Sequence, residues 1–208
     1  HPSQALLDLY TIKKELQGRG RGIDGLRIAM VGDLKYGRTV HSLCKLLCLF
    51  RDIQVTLVSP PELAMPEDLL ALLDQAGHRT VATEQLEPSI AHVDIVYSTR
   101  IQEERFQDRS QADLYRGRFR LNQEIYTRHC EPNTVIMHPL PRDSRAEANE
   151  LDADLDKNPN LAIFRQTDNG LLIRMALFAL VLDVVHLVDK YARDIRWHNP
   201  RLPRDQAT

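Results

Sequence analysis

The sequence is short of several things, and each shortage closes a class of function. It has three cysteines, one tryptophan and 6 % aromatic residues in 208. An odd and small cysteine count offers no disulfide framework and points to a reducing compartment, the cytoplasm. No apolar run reaches the ~18 residues of a membrane span. The longest greasy stretch, 171–188, is interrupted by Arg174 and Asp183. No signal-peptide pattern opens the chain. Neither sign of charge dominates: the formal net charge is −2, so bulk electrostatics offer neither nucleic acid nor a membrane surface as partner. The dinucleotide fingerprint G-x-G-x-x-G is missing. Gly32-Asp33 with Gly37 reads G-D-x-x-x-G instead, and Ser59-Pro60-Pro61 stand where an acid for a ribose belongs. The P-loop pattern G-x-x-x-x-G-K-[ST] is missing too.

What remains is an ordinary globular composition, 43 % apolar and 27 % charged, of a length that suits one domain. The stretch 26–50 organises it. An apolar run at 27–31 stops at Gly32-Asp33. Lys35, Gly37 and Arg38 form a polar turn, and Val40, Leu43, Leu47 and Phe50 then recur at helical spacing. Strand, glycine turn, helix is the opening unit of an open α/β sheet, whose ligands sit at strand carboxyl ends beside helix N-termini. Before it, Pro2 starts a helix, and glycines 18, 20, 22 and 25 end it. After it, strands are expected at 54–59, 78–82, 93–98 and 134–137, with a sixth strand or edge at 161–166. Helices are expected at 39–51, 66–76, 84–91 and 122–130. A long helix is expected over 171–191, set off by a break at Asn169-Gly170. The charged stretch 103–117 reads as an exposed loop and 192–208 as a frayed tail. Alternating strands and helices predict a three-layer α/β/α fold with a mostly parallel, Rossmann-like sheet. In it the ends of strands one, four and five share a rim.

Three clusters carry candidate chemistry. His1 and Gln4 lie at i and i+3 on a helix start, as a pair that polarises a carbonyl and holds an amide, or as a simple cap. Arg38 and Arg100 each follow a strand, and two guanidinium forks suit a dicarboxylate, with Gln102 adding a neutral donor and acceptor. Their alternative is ion pairing with Glu103, Glu104 or Asp94. His138-Pro139-Leu140-Pro141-Arg142 is a stiff turn whose carbonyls at Leu140 and Pro141 are available to a ligand NH₂. His41, Cys44 and Cys48 share a helix face, which raises a metal site, but no fourth ligand is evident and buried thiols are common. Cys130, beside His129, reads as a core thiol.

In their order along the chain these blocks resemble the aspartate carbamoyltransferases, specifically their aspartate-binding domain. The matching residues are HPSQALLDLYTI at 1–12, VGDLKYGRTVHSL at 31–43, STRIQEERF at 98–106, MHPLPR at 137–142 and NGLLIRMALFALVL at 169–182. Ornithine carbamoyltransferases share the fold but differ at the turn after strand one and carry a cysteine in the block that here reads His138-Pro139-Leu140-Pro141. The resemblance implies roles by position. His1 hydrogen-bonds the carbamoyl oxygen and steadies the developing oxyanion. Gln4 and the carbonyls of Leu140 and Pro141 hold the carbamoyl NH₂. Arg38 and Arg100, with Gln102, clamp L-aspartate. Glu104 and Arg105 form ion pairs that hold the charged loop closed. No metal and no organic cofactor is implied.

The resemblance also divides the chain into an inter-domain helix and link at 1–25, an L-aspartate-binding domain at 26–191, and a tail. The family's carbamoyl-phosphate domain, with its phosphate loop and a lysine loop from a neighbouring subunit, is absent from this sequence. A start at His1 rather than Met looks like a cut inside a larger protein. Leu6, Leu9, Leu172 and Leu177 are therefore expected to leave apolar surface uncovered. The implied assembly is a trimer of catalytic chains, with or without regulatory chains. Two rival readings stay open: a carbamoyltransferase for another amino acid, of ornithine type, and a non-catalytic binding or assembly domain of the same fold.

Overall fold

A computed structural model describes residues 2–101, 117–143, 145 and 148–193. Five strands, β1 (Arg27–Val31), β2 (Gln54–Val58), β3 (Arg79–Thr83), β4 (Ile95–Ser98) and β5 (Val135–Met137), form one sheet in the order β3-β2-β1-β4-β5. Every pairing is parallel, with Val31 opposite both Val58 and Ser98. The residues of β1, β4 and β5 are apolar almost throughout, as strands covered on both faces require, whereas the edge strand β3 is mostly exposed. Alternate side chains divide between two cores. Ile28, Met30, Val55, Leu57, Ile95, Tyr97, Val135 and Met137 face one. Ala29, Val31, Val58, Val96 and Ile136 face the other.

The first core is roofed by α1 (Pro2–Gln17), α2 (Arg38–Leu47) and α3 (Glu67–Gln75), and the second by α4 (Leu86–Ser89) and α5 (Gln123–His129). Asn122 caps α5 by accepting from the Ile125 N–H at 2.8 Å. This is the expected three-layer α/β/α architecture with a Rossmann-like sheet. The element boundaries at strands one to five fall within about two residues of the expectation, the ordinary play at element ends.

Three expectations are corrected. Residues 161–166 are not a strand. Leu161 makes only an isolated bridge to Ile136, and a helix begins at once as α6 (Ile163–Val181). Nor do Asn169 and Gly170 break the chain, since both lie inside α6. Tertiary packing overrides their low helix propensity. The Asn169 amide donates to Thr11 Oγ1 at 2.9 Å across the α1–α6 interface, and a Cβ on Gly170 would stand 3.4 Å from Leu7 of α1. An ion pair between Arg165 and Glu15 at 2.7 Å closes the same interface. The helix expected to reach residue 191 stops at Val181. Asp183 follows with a positive φ of 55°, then a 3₁₀ turn (Val185–Leu187) and the short α7 (Val188–Tyr191).

The rim opposite the strand carboxyl ends is closed by charge. Asp94 accepts from Arg21 at 2.6 Å, from the Arg27 guanidinium at 2.8 Å and from the Arg27 backbone N–H at 2.9 Å. Burial pushes its carboxyl up, but these hydrogen bonds outweigh that and bring it down to about 2. Asp94 is thus committed to Arg21 and Arg27, on the far side of the sheet from Arg38 and Arg100. No single helix among the described residues is long and apolar enough to cross a membrane.

Candidate active site

Strand order reverses between β1 and β4, since β2 and β3 extend the sheet one way and β5 the other. Open α/β sheets bind ligands in the crevice beyond the carboxyl ends of such strands. Here the two ends are clasped together. Thr99 donates from both its N–H and its hydroxyl to the Val31 carbonyl, each at 2.9 Å. Gly32, with φ of 111°, passes so close that a Cβ there would stand 2.3 Å from the Thr99 carbonyl oxygen. The chain then turns around buried Asp33, whose Oδ1 accepts the Tyr36 N–H at 2.8 Å, and enters α2 at Arg38.

The turn after β5 is built on its histidine. His138 is buried, its N–H donates to Gln166 Oε1 at 3.1 Å, and its Nδ1 accepts the Leu140 N–H at 2.8 Å. With Nδ1 accepting, the neutral ring carries its proton on Nε2, which stands 2.7 Å from Glu150 Oε1, out of line for a full hydrogen bond. Leu140 has a left-handed φ of 59° and the Leu140–Pro141 peptide is cis. Residues 139–141 own a single N–H, that of Leu140, because prolines have none. His138 consumes it. The turn therefore offers a ligand acceptors and no donors. Arg142 is held away by Asp156 at 2.8 Å.

These three strand ends enclose a cavity of about 160 Å³ lined by Gly37, Arg38, Thr39, Thr99, Arg100, His138, Pro139, Leu140 and Pro141. Pockets for drug-sized ligands run to roughly 300–1,000 Å³, so this one suits a single small metabolite. Of the residues singled out from sequence, the structure brings Arg38, Arg100, Leu140 and Pro141 to this one cavity. Gln4 does not line it. Its amide nitrogen lies 2.9 Å from Asp8, which is itself linked to the lining residue His138 through Gln166. His1, Gln102, Glu104 and Arg105 lie outside the described residues. Near Arg100 stands Asp143, whose carboxyl is held at about 2, chiefly by a hydrogen bond from Arg145, with the charge of Arg100 adding to it.

The face bearing His41, Cys44 and Cys48 scatters its polar atoms. His41 Nε2 meets the Leu34 carbonyl at 2.8 Å, Cys44 Sγ meets Met30 Sδ at 3.6 Å, and Cys48 Sγ meets the Cys44 carbonyl at 3.3 Å. Burial pushes the Cys44 and Cys130 thiols up to about 12, so neither is a nucleophile near neutral pH.

Sequence reasoning missed Asp8, Tyr97 and Gln166, which join behind the cavity. Asp8 accepts from Gln4 at 2.9 Å, from Gln166 at 2.6 Å and from the Tyr97 hydroxyl at 2.7 Å. A signal existed. Asp8 and Thr11 share the stripe of α1 that carries Ala5, Ile12 and Leu16, where an unpaired polar side chain is costly.

Comparison with known proteins fits this geometry. A family model described as the aspartate/ornithine carbamoyltransferase Asp/Orn-binding domain matches residues 24–181. The aspartate carbamoyltransferase catalytic subunit of Cellvibrio japonicus is 73 % identical over 95 % of this chain and 58 % of its own length. The chain thus spans under two thirds of that relative. Among solved structures, the catalytic subunit of M. jannaschii aspartate transcarbamoylase superposes with a TM-score of 0.77 at 40 % identity, covering 88 % of this chain and 57 % of that one. The Trypanosoma cruzi aspartate transcarbamoylase in complex with N-(phosphonacetyl)-L-aspartic acid does so at 0.75 and 38 %, covering 86 % and 55 %.

Proposed function

Because the chain belongs to the aspartate/ornithine carbamoyltransferase family through its Asp/Orn-binding domain, we propose that it is the L-aspartate-binding part of an aspartate carbamoyltransferase. In this reading the amine of L-aspartate attacks the carbonyl carbon of carbamoyl phosphate. A C–N bond forms, the C–O bond to phosphate breaks and the amine sheds a proton. The products are N-carbamoyl-L-aspartate and phosphate, a step of pyrimidine synthesis in the cytoplasm.

Each group has a task set by its chemistry. Arg38 and Arg100 hold the two carboxylates of aspartate, with Gln102 assisting, and so fix the amine in line for attack. The donor-free turn at Leu140 and Pro141, with Gln4, receives the carbamoyl NH₂. That orients the carbamoyl group and leaves its oxygen for the His1 imidazole, which stabilises the charge that builds there. Glu104 and Arg105 hold the charged loop closed over the site. Phosphate binding belongs to a carbamoyl-phosphate domain in the remaining length of the relatives. Its seat is the outer stripe of α6, where Leu171, Leu172, Met175 and Phe178 are exposed, with Leu6, Leu9 and Leu177 half-buried. The assembled enzyme is a trimer of catalytic chains.

The observation that carries this reading is the meeting of Arg38, Arg100, Leu140 and Pro141, remote in sequence, in one small cavity. The test compares acceptors in the complete catalytic chain supplied with carbamoyl phosphate. Carbamoylation is expected with L-aspartate and at a rate at least about 1,000-fold lower with L-ornithine, whose terminal ammonium would face a guanidinium. Faster carbamoylation of ornithine contradicts the proposal.

A further inference from the structure

Asp8 is fully buried on α1, an uncommon place for a carboxylate. Its Oδ1 accepts from Gln4 Nε2 at 2.9 Å and from Gln166 Nε2 at 2.6 Å, while its Oδ2 accepts from the Tyr97 hydroxyl at 2.7 Å. Gln166 passes the connection on, taking the His138 N–H on its own Oε1 at 3.1 Å. Tyr97 stands three residues before Arg100, which lines the cavity. One carboxylate therefore ties α1, β4, α6 and the turn after β5.

A carboxylate only accepts. It thus decides which end of each amide it meets: both Gln4 and Gln166 must turn their nitrogen toward it. For Gln166 the opposite end is an oxygen already engaged by His138. For Gln4 the opposite end is an oxygen with no hydrogen bond among the described residues, and a ligand NH₂ needs such an acceptor.

We propose that Asp8 is a positioning residue for the carbamoyl group: it locks the Gln4 amide with its oxygen outward, and through Gln166 it sets the register of the acceptor turn at 138–141. The proposal rests on the reading of Gln4 given above. A pH effect follows from the same geometry. Burial raises the Asp8 carboxyl to about 6, against the lowering effect of its three hydrogen bonds. The groups that face it are Gln4 on its own helix, Tyr97 from β4 and Gln166 from α6, none of them charged among the described residues. As pH falls through about 6, Asp8 takes a proton and becomes a donor as well, and the Gln4 amide is free to turn over.

The test uses the complete catalytic chain and reads the half-saturating concentration of carbamoyl phosphate. Asp8→Asn is expected to raise it about tenfold, the worth of one misdirected hydrogen bond, with a smaller change in kcat. The substituted side chain, an amide itself, can meet either end of Gln4, so the lock is lost. Adding Gln4→Glu to Asp8→Asn is expected to return the value to within about threefold of the unaltered chain, since a carboxylate has no wrong end and the introduced amide can donate to it. Packing alone would leave the double variant no better than the single one, and that result overturns the proposal. In the unaltered chain the half-saturating concentration should rise as pH drops past about 6 by more than it does in Gln4→Ala, where there is no amide to turn. Identical profiles overturn it as well, without requiring Asp8→Asn to fold. If Gln4→Ala leaves carbamoyl phosphate saturation unchanged at neutral pH, the reading of Gln4 fails and takes this proposal with it. If Gln4→Ala impairs saturation and Asp8→Asn does not, only the role of Asp8 fails.

Discussion

Arg100→Ala in the complete catalytic chain is expected to raise the half-saturating concentration of L-aspartate about 100-fold, with a much smaller effect on carbamoyl phosphate. The size follows from what is removed. Arg100 sits two residues past the end of β4, half-buried against the turn at 138–141. A guanidinium so placed makes charge-assisted hydrogen bonds in a partly dry site. Removing one partner of such a pair costs about 2–5 kcal/mol, much of it the penalty of leaving the other charge unmatched. Arg100→Lys should recover only part of the loss, because an ammonium keeps the charge but not the planar fork. Asp143 is not orphaned by either change, since Arg145 dominates its environment. Kinetics at saturating carbamoyl phosphate check this. Unaltered aspartate saturation in Arg100→Ala would remove the arginine from the acceptor site.

Gly32→Ala is expected to destabilise the fold by about 3 kcal/mol or more. Two costs coincide there. The residue has φ of 111°, a conformation that side chains disfavour, and its Cβ would stand 2.3 Å from the Thr99 carbonyl oxygen and 2.8 Å from Thr99 Oγ1. Neither atom can step aside, because the Thr99 N–H and hydroxyl are both bonded to Val31 across the same gap. The strain therefore falls on the clasp that sets the distance between the segments bearing Arg38 and Arg100. Gly25→Ala is the control. It also has a positive φ, 74°, but nothing lies within 4 Å of its Cβ position, so only the conformational cost of about 1 kcal/mol remains. Denaturant unfolding of both variants checks the difference. Equal losses would mean that the closeness of the two strand ends does not matter.

Much of this was legible in the sequence because the information was local. Runs such as Arg27–Val31 are too short and too apolar to be surface helix, and their alternation with amphipathic stretches leaves few topologies besides a parallel sheet. Arg38, Arg100 and the 138–142 turn could be placed on one rim because a parallel sheet puts all its strand carboxyl ends there. What could not be read was decided by partners far away in sequence. Asn169 and Gly170 look like a break until Thr11 and Leu7 of α1 are packed against them. Residues 161–166 have the apolar character of a strand, but β5 offers Leu161 only one bridge before α6 begins. Asp8 looks like any acid on a helix, and its three donors come from three different elements.

The central claim is that Arg38 and Arg100 each hold a different carboxylate of one small diacid. Most direct is a cycle between protein and ligand: kcat/KM of the unaltered complete chain, Arg38→Ala and Arg100→Ala, each with L-aspartate, L-alanine and β-alanine. L-Alanine lacks the side-chain carboxylate and β-alanine the α-carboxylate. The account predicts that each arginine is nearly dispensable toward one analogue, the one missing the group it holds, and that the two arginines differ in which analogue that is. Additive losses throughout, or both arginines falling silent with the same analogue, would contradict it.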